Sequence, residues 1–134
     1  MRRLVVTVLA ITALWACNDS PTGTVNAADA GNYVLRTIND TIMPYTLIAD
    51  GTTTLDIVAD TIFMGVDGHF TDRTHQRLQQ NGTTTFPVNV TTGTWSEKGS
   101  TVLFDGDDGS TITAGFAGTS LIILGSNLRA VYTR

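Results

Sequence analysis

The chain is short of nearly everything from which reactive sites are built. Its 134 residues include one Cys, Cys17, and two His, His69 and His75. A lone thiol excludes an internal disulfide and a four-thiolate zinc site. Glu97 is the sole Glu and Lys98 the sole Lys, side by side. Charged residues make up 15% and hydrophobics 42%, which excludes a disordered polyelectrolyte and suits one domain with one core. Eight Lys plus Arg face 12 Asp plus Glu, so there is no basic stripe and no sign of a nucleic-acid partner. Neither a Gly-x-Ser-x-Gly elbow nor a His-Glu-x-x-His helix motif is present. A Ser-His-Asp set drawn from distant residues would leave no motif. With no motif that carries a mechanism, the chain reads as non-enzymatic.

What is present begins with an address. Met1-Arg2-Arg3 is basic, and Leu4 to Trp15 is apolar apart from Thr7 and Thr12. Polar Asn18-Asp19-Ser20-Pro21 follows abruptly. A basic start, an apolar run of about 7–15 residues and a small residue before the cut describe a secretory signal peptide, here residues 1–16. The run falls short of the roughly 20 residues that a spanning helix needs. Removing Arg2 and Arg3 leaves 8 − 2 = 6 bases against 12 acids. Anionic headgroups would repel such a surface.

Leu14-Trp15-Ala16-Cys17 resembles the lipobox of bacterial lipoproteins, in which an aliphatic residue, a small residue and Gly or Ala precede the Cys that receives lipid. Trp15 departs from the pattern. The resemblance implies lipidation at Cys17 and a membrane partner through that anchor. The thiol would then be a thioether, closed to redox or metal chemistry. Asn18 stands where an Asp retains related proteins in the inner membrane, which favours the periplasmic face of the outer membrane. The plainer alternative is an ordinary leader with a chance Cys.

Residues 17–31 are small and polar and read as a flexible stalk, about 14 residues spanning roughly 20 Å. Residues 32–134 read as one all-β domain. Thr, Val, Ile, Phe and Tyr fill short runs, and turn pairs such as Asp67-Gly68, Asn81-Gly82 and Ala117-Gly118 punctuate them. Short β-rich runs between Gly turns predict an antiparallel meander of about eight strands.

Hairpin parity tests this reading, because a slip of one residue inverts every side chain. A turn at Lys98-Gly99 sets Trp95 opposite Val102. A three-residue loop at Asp107-Asp108-Gly109 sets Phe104 opposite Ile112. Turns at Ala117-Gly118 and Gly125-Ser126 set Ala114 opposite Leu121 and Leu121 opposite Ala130. One apolar face runs through all four turns. In the earlier half, a turn at Asp67-Gly68 puts Phe63 opposite Asp72 and Asp60 opposite His75. A three-residue loop at Gln80-Asn81-Gly82 puts Gln76 opposite Phe86 and turns Phe86, Val88 and Val90 inward. Their parity differs from that of Trp95, so a β-bulge is expected at Gly93. Closure would pair the first strand with Leu128 to Thr133 and remove the free edges.

Gly31-x-Tyr33-x-Leu35, Asp67-Gly68-x-Phe70, Gly93-Thr94-Trp95 and the closing Val131-Tyr132-Thr133-Arg134 resemble the layout of small lipocalin-like domains of bacterial envelope lipoproteins. The resemblance implies a small closed barrel and a small apolar ligand. It carries over no catalytic residue and no cofactor.

Asp72 falls on the inner face beside Phe63. It is either a polar group inside a ligand cavity or a residue at the barrel mouth. With Phe63, Phe86, Trp95 and Tyr132 it forms the candidate ligand-binding set, although such aromatics are more often core. His75, flanked by Arg73 and Arg77, lacks the third and fourth ligands of a metal site, so no metal is assigned. Asp105-Gly106-Asp107-Asp108-Gly109 fails the calcium-loop pattern at its fifth and twelfth positions, Gly109 and Phe116. It suits a tight hairpin instead. Two functions follow: a tethered lipocalin-like barrel holding a small apolar molecule, or a solid barrel acting through its surface as an interaction module or inhibitor.

Overall fold

β-branched and aromatic residues at alternate positions suit a pleated surface with one buried face. Gly at positive φ lets the chain reverse between strands. The structure, a computed structural model, describes residues 23–134. The leader and Cys17 lie outside the described residues. The strands are β1 (Gly31–Ile38), β2 (Thr41–Ile42), β3 (Tyr45–Ala49), β4 (Thr53–Met64), β5 (His69–Gln80), β6 (Thr83–Thr85), β7 (Val88–Lys98), β8 (Thr101–Gly106), β9 (Thr111–Ala117), β10 (Ser120–Gly125) and β11 (Leu128–Thr133).

Eight of these close a circuit of antiparallel pairs, β1-β11-β10-β9-β8-β7-β5-β4 and back to β1. Every connection is up-and-down, and the shape is consistent with a small lipocalin-like barrel. Closure occurs where expected, with Leu35 opposite Tyr132; on its other side β1 pairs β4, with Gly31 opposite Met64. β2 and β3 form an excursion between β1 and β4, and β3 lies along the half of β4 beyond the β1 contact. Among the described residues no helix is long and apolar enough to cross a membrane.

From β7 to β11 the inner face is the one expected. Phe104 faces Ile112 and Val102 faces Ala114. Three neighbouring hairpins slip by two residues, which preserves parity. The turns are Gly99-Ser100, Gly118-Thr119 and Ser126-Asn127, so Trp95 faces Phe104, Ile123 faces Ala114 and Leu121 faces Tyr132.

The earlier half departs by one residue at two turns. Gly65 N–H donates to the His69 carbonyl and Gly68 N–H to the Gly65 carbonyl. Val66-Asp67-Gly68 is therefore a three-residue loop, with Gly68 at φ 83°. Such loops end on a left-handed residue. Phe63 thus faces Thr71, not Asp72, and points outward at 49% exposure while Ile62 and Met64 are buried. Asn81-Gly82 is instead a two-residue turn with both φ positive, 49° and 79°, the geometry this pair prefers. Gln80 then faces Thr83 and His75 faces Val88. Phe86, Val88 and Val90 turn outward, at 70%, 48% and 52% exposure.

No bulge forms at Gly93, because the ladders on both sides run through it without a shift. Gly93 is required for close approach. A Cβ there would collide with the Asp105 carbonyl and lie 2.8 Å from the Phe70 ring. The observed bulges are in β4 between Ile57 and Ala59, in β3 and in β1.

The core fills the end of the barrel that holds Met64 and Thr133, called here the lower end. Trp95, Tyr33, Met64, Val102 and Leu121 are at most 2% exposed. Phe70 and Phe104 meet edge to face at 5.0 Å. Each such side chain contributes roughly 1.5–3 kcal/mol by leaving water. Trp95 Nε1–H donates to the Gly65 carbonyl at 2.8 Å, so the buried indole loses no hydrogen bond.

The chain before β1 also departs from expectation. Gly23 to Ala30 is docked against the lower end, not a free stalk. Thr24 and Glu97 exchange both backbone hydrogen bonds. The Tyr33 hydroxyl donates to the Asp29 carbonyl, and Arg134 reaches the Ala28 carbonyl at 2.7 Å. Arg134 also lies 5.5 Å from the Tyr33 ring centroid, where a guanidinium is attracted by the aromatic face.

Gly93→Ala should lower unfolding free energy by about 1–3 kcal/mol, as overpacking does, without changing the fold. Urea denaturation and far-ultraviolet circular dichroism check both halves of that statement.

Candidate functional site

The inner face changes character along the barrel. Below, it is aromatic and aliphatic. Towards the other end, β4, β5, β7 and β11 contribute Asp60, Asp72, Thr74, Thr91 and Tyr132. Asp60 is opposite Thr74, and Asp72 sits between Ile62 and Thr91. Asp60 is 6% and Tyr132 5% exposed. Asp60 Oδ2 accepts from the Tyr132 hydroxyl at 3.0 Å and from Thr74 Oγ1 at 3.4 Å. Asp60 Oδ1 and Asp72 Oδ1 are buried and find no donor.

The Asp72 carboxyl is pushed up to about 8, first by burial and then by hydrogen bonding and charge from Asp60. At neutral pH Asp72 therefore keeps its proton. Burial, followed by the Asp60 and Asp72 charges, also keeps Tyr132 in its phenol form, able to donate. The set is a protonated Asp72 beside Asp60, with Tyr132 as a phenol donor to Asp60.

Asp60 is buried and Asp72 half-buried. Three concavities lie on the outside. One of about 380 Å³ lies among the hairpin tips, at Asp50, Thr52, Gln79 and Gly82. Another, about 460 Å³, lies between Gly23-Val25 and the β7–β8 wall. A third, about 300 Å³, is on the outer face of β9 and β10 at Thr113, Ile122 and Leu124. None is lined by the acid pair.

The five candidate ligand residues therefore do not form one site. Asp72, Trp95 and Tyr132 face inward, Trp95 in the packed lower end and the other two in the polar zone. Phe63 and Phe86 stand on the outer wall. Asp60, which the sequence pattern sets opposite His75, is the partner absent from the candidate set. It faces inward, and His75 faces Ala59. A three-residue loop at Val66-Asp67-Gly68 is the signal that would have turned Asp60 inward together with Ile62 and Met64. The outer cross-strand ion pair is instead Arg77 with Asp56. Arg77 Nε donates to Asp56 Oδ2 at 3.0 Å. Bonds from Thr46, then from Arg77, hold Asp56 below the usual carboxylate range.

The Asp-Gly run forms a turn whose carboxylates are used locally. Asp108 Oδ1 accepts from Ser110 N at 2.9 Å and also from the Ser110 hydroxyl, which lowers its pKa. Asp107 Oδ2 accepts from Thr92 Oγ1 at 2.6 Å.

Compared with known proteins, the chain matches no family model, no curated protein and no solved structure.

The folded chain keeps the Asp72 proton up to about pH 8, whereas an unfolded Asp releases it near 4. Its contribution to stability is thus complete below about pH 4 and lost as pH rises towards 8. Glu97, raised by burial and then by Asp29, adds to the same slope. Stability should fall by on the order of a few kcal/mol between those limits. Asp72→Asn should flatten most of that fall. Urea midpoints at a series of pH values read it directly.

Proposed function

We propose that the chain is a lipid-anchored, non-enzymatic protein of the bacterial cell envelope whose barrel acts through its outer surface, as a protein–protein interaction module. The supporting observation is where space and apolar surface occur. The lower interior is filled by Trp95, Tyr33 and Met64, and the polar zone holds a carboxyl pair, which is a poor lining for an apolar guest. Phe63, Phe86, Val88 and Val90 stand in solvent. Phe86, Val88 and Val90 form one outward row along a single strand, and contiguous exposed apolar surface marks contact sites.

Anchoring rests on the basic start, the short apolar run and Leu14-Trp15-Ala16-Cys17. Gly23 to Ala30 is docked on the lower end of the barrel, six residues beyond Cys17. The lower end of the barrel would then lie close to the headgroups. Periplasmic exposure at the outer membrane follows from Asn18 by the same resemblance.

A second reading is favoured by the orphaned oxygens of Asp60 and Asp72. A small amphipathic ligand with a cationic group would satisfy them, and the barrel would be a lipocalin-like carrier.

Native mass spectrometry after mild extraction separates the two. The surface reading expects the mass of the processed chain alone, and a co-purifying small molecule would replace it with the carrier reading. Cys17→Ala should move the protein from the membrane to the soluble fraction. Unchanged fractionation would refute the anchor.

A further inference from the structure

The polar zone inside the barrel lacks positive charge. Asp60 on β4 and Asp72 on β5 are diagonal neighbours on one face, since Asp60 is opposite Thr74 and Ile62 opposite Asp72. Asp60 acts on Asp72 by hydrogen bonding and charge, so the two carboxyls meet. β5 also carries Arg73, His75 and Arg77, but these alternate with Asp72, Thr74 and Gln76 and point to the outer face. Arg77 pairs there with Asp56. Among the described residues no Lys, Arg or His forms an ion pair with Asp60 or Asp72. Buried charges are ordinarily paired or hold a metal. A proton on Asp72 removes one of the two charges and leaves that of Asp60 facing no cation.

Two oxygens are also left over. Asp60 is 6% exposed, and its Oδ1 is buried without a donor, as is Asp72 Oδ1. The donors at hand are used on the other Asp60 oxygen, because the Tyr132 hydroxyl and Thr74 Oγ1 both donate to Oδ2. Acidic residues alone would say little. The run Asp105-Gly106-Asp107-Asp108 has more of them, but Asp107 and Asp108 are engaged by Thr92 and Ser110.

The surroundings select the kind of cation. Thr74 and Thr91 face inward beside the pair, Thr91 opposite Asp72, so the nearby side-chain donors are oxygens. Carboxylates and hydroxyls suit hard ions, whereas zinc and copper favour imidazole and thiolate. A bare ion can meet oxygens that are closed to solvent. An organic ammonium brings a carbon stem that needs a cavity, and the concavities described above lie on the outside. Two carboxylates match a double charge. Magnesium holds several of its waters, while calcium accepts an irregular set of about 6–8 oxygens. Asn89, opposite Thr74, shares the inward parity of Thr91 and is exposed, so solvent reaches the interior on the row of Asp60.

We propose that Asp60 and Asp72 are the anionic ligands of a calcium site inside the barrel, with the hydroxyls of Thr74 and Thr91 and water as its neutral ligands. The ion joins β4, β5 and β7 from within. No third acid or His joins the pair, so affinity falls in the weak range of extracellular calcium modules, about 10⁻⁴–10⁻³ M. The proposal goes beyond the surface-acting reading and leaves it intact, because the outer wall is not used.

Terbium, a calcium surrogate that emits when a nearby aromatic ring is excited, tests the site in the full chain. Tyr132 donates to Asp60 and should sensitise it. Above about pH 8 the Asp72 proton no longer competes. There, terbium should emit on ultraviolet excitation, calcium should quench that emission by displacement, and calcium should raise the melting temperature relative to chelator. Asp72→Asn and Asp60→Asn should each weaken calcium binding by at least about tenfold, since affinity follows the charge of the ligands. Asp108→Asn, in the exposed turn, should leave it unchanged. Wild type alone decides whether an ion is bound, so a variant that fails to fold does not remove the test. A melting temperature indifferent to calcium, or binding that survives both interior substitutions and is lost in Asp108→Asn, overturns the proposal. Methylammonium chloride in place of calcium should have no effect; stabilisation by methylammonium and not by calcium also overturns it. An organic guest found by mass spectrometry would undo the surface reading without altering the calcium titration, so the two failures are distinct.

Discussion

A hairpin loop decides which way every side chain beyond it points, and in a closed barrel those decisions must agree around the whole circuit. Here β4 pairs with both β5 and β1, so the circuit cannot be satisfied by two locally consistent halves. One residue at Val66-Asp67-Gly68 and one at Asn81-Gly82 set the parity of β4 relative to β5 and of β7 relative to β5. Ile62, Met64, Phe70 and Trp95 all face inward because both loops have the lengths they do. Changing either length alone would place a polar row against the Phe104–Ala114 face, at a cost no local contact offsets.

The later half of the barrel was legible because its turns tolerate error. A hairpin displaced by two residues keeps its inner face, so Val102, Phe104, Ala114, Leu121, Ala130 and Tyr132 are identified by alternation even where the partner is wrong. Closure of the first strand on the last was legible for the same reason. The earlier half offered no such protection. Asp67-Gly68 supports both a two-residue turn and the end of a three-residue loop, and β4 and β5 lack a continuous apolar row to choose between them. Asp60 and Asp72 occupy inner positions, whereas Phe63, Phe86 and Val88 occupy outer ones. Alternation argues for the opposite assignment at each. The candidate site was therefore half legible: Asp72 and Tyr132 were placed inside, and the Asp60 that completes them was not.

The departures from binary pattern share one origin. A barrel wall has a fixed parity, so a strand that turns carboxylates inward must turn its intervening residues outward. Along β4, Asp60, Ile62 and Met64 point in and Phe63 points out. Along β7, Thr91, Gly93 and Trp95 point in and Val88 and Val90 point out. The Gly93 position explains part of this: the ring of Phe70 and the Asp105 carbonyl occupy the space a side chain would need. The dense lower core requires that register, and the apolar outer row follows from it.

Strand length then turns that outer row into an edge. β5 runs to Gln80 and supports its neighbour along its whole length, but β8 stops at Gly106, where the Asp107-Asp108-Gly109 loop reverses the chain. The stop is firm, because Asp107 and Asp108 use their carboxylates on Thr92 and Ser110, so β8 has no spare residues with which to continue. Residues 86–90 are held flat against β5 with their other side open. The interior acids and the open edge are thus two results of one register. The register that turns Asp60 and Asp72 inward also presents Phe86, Val88 and Val90, uncharged and in line, on the outer wall.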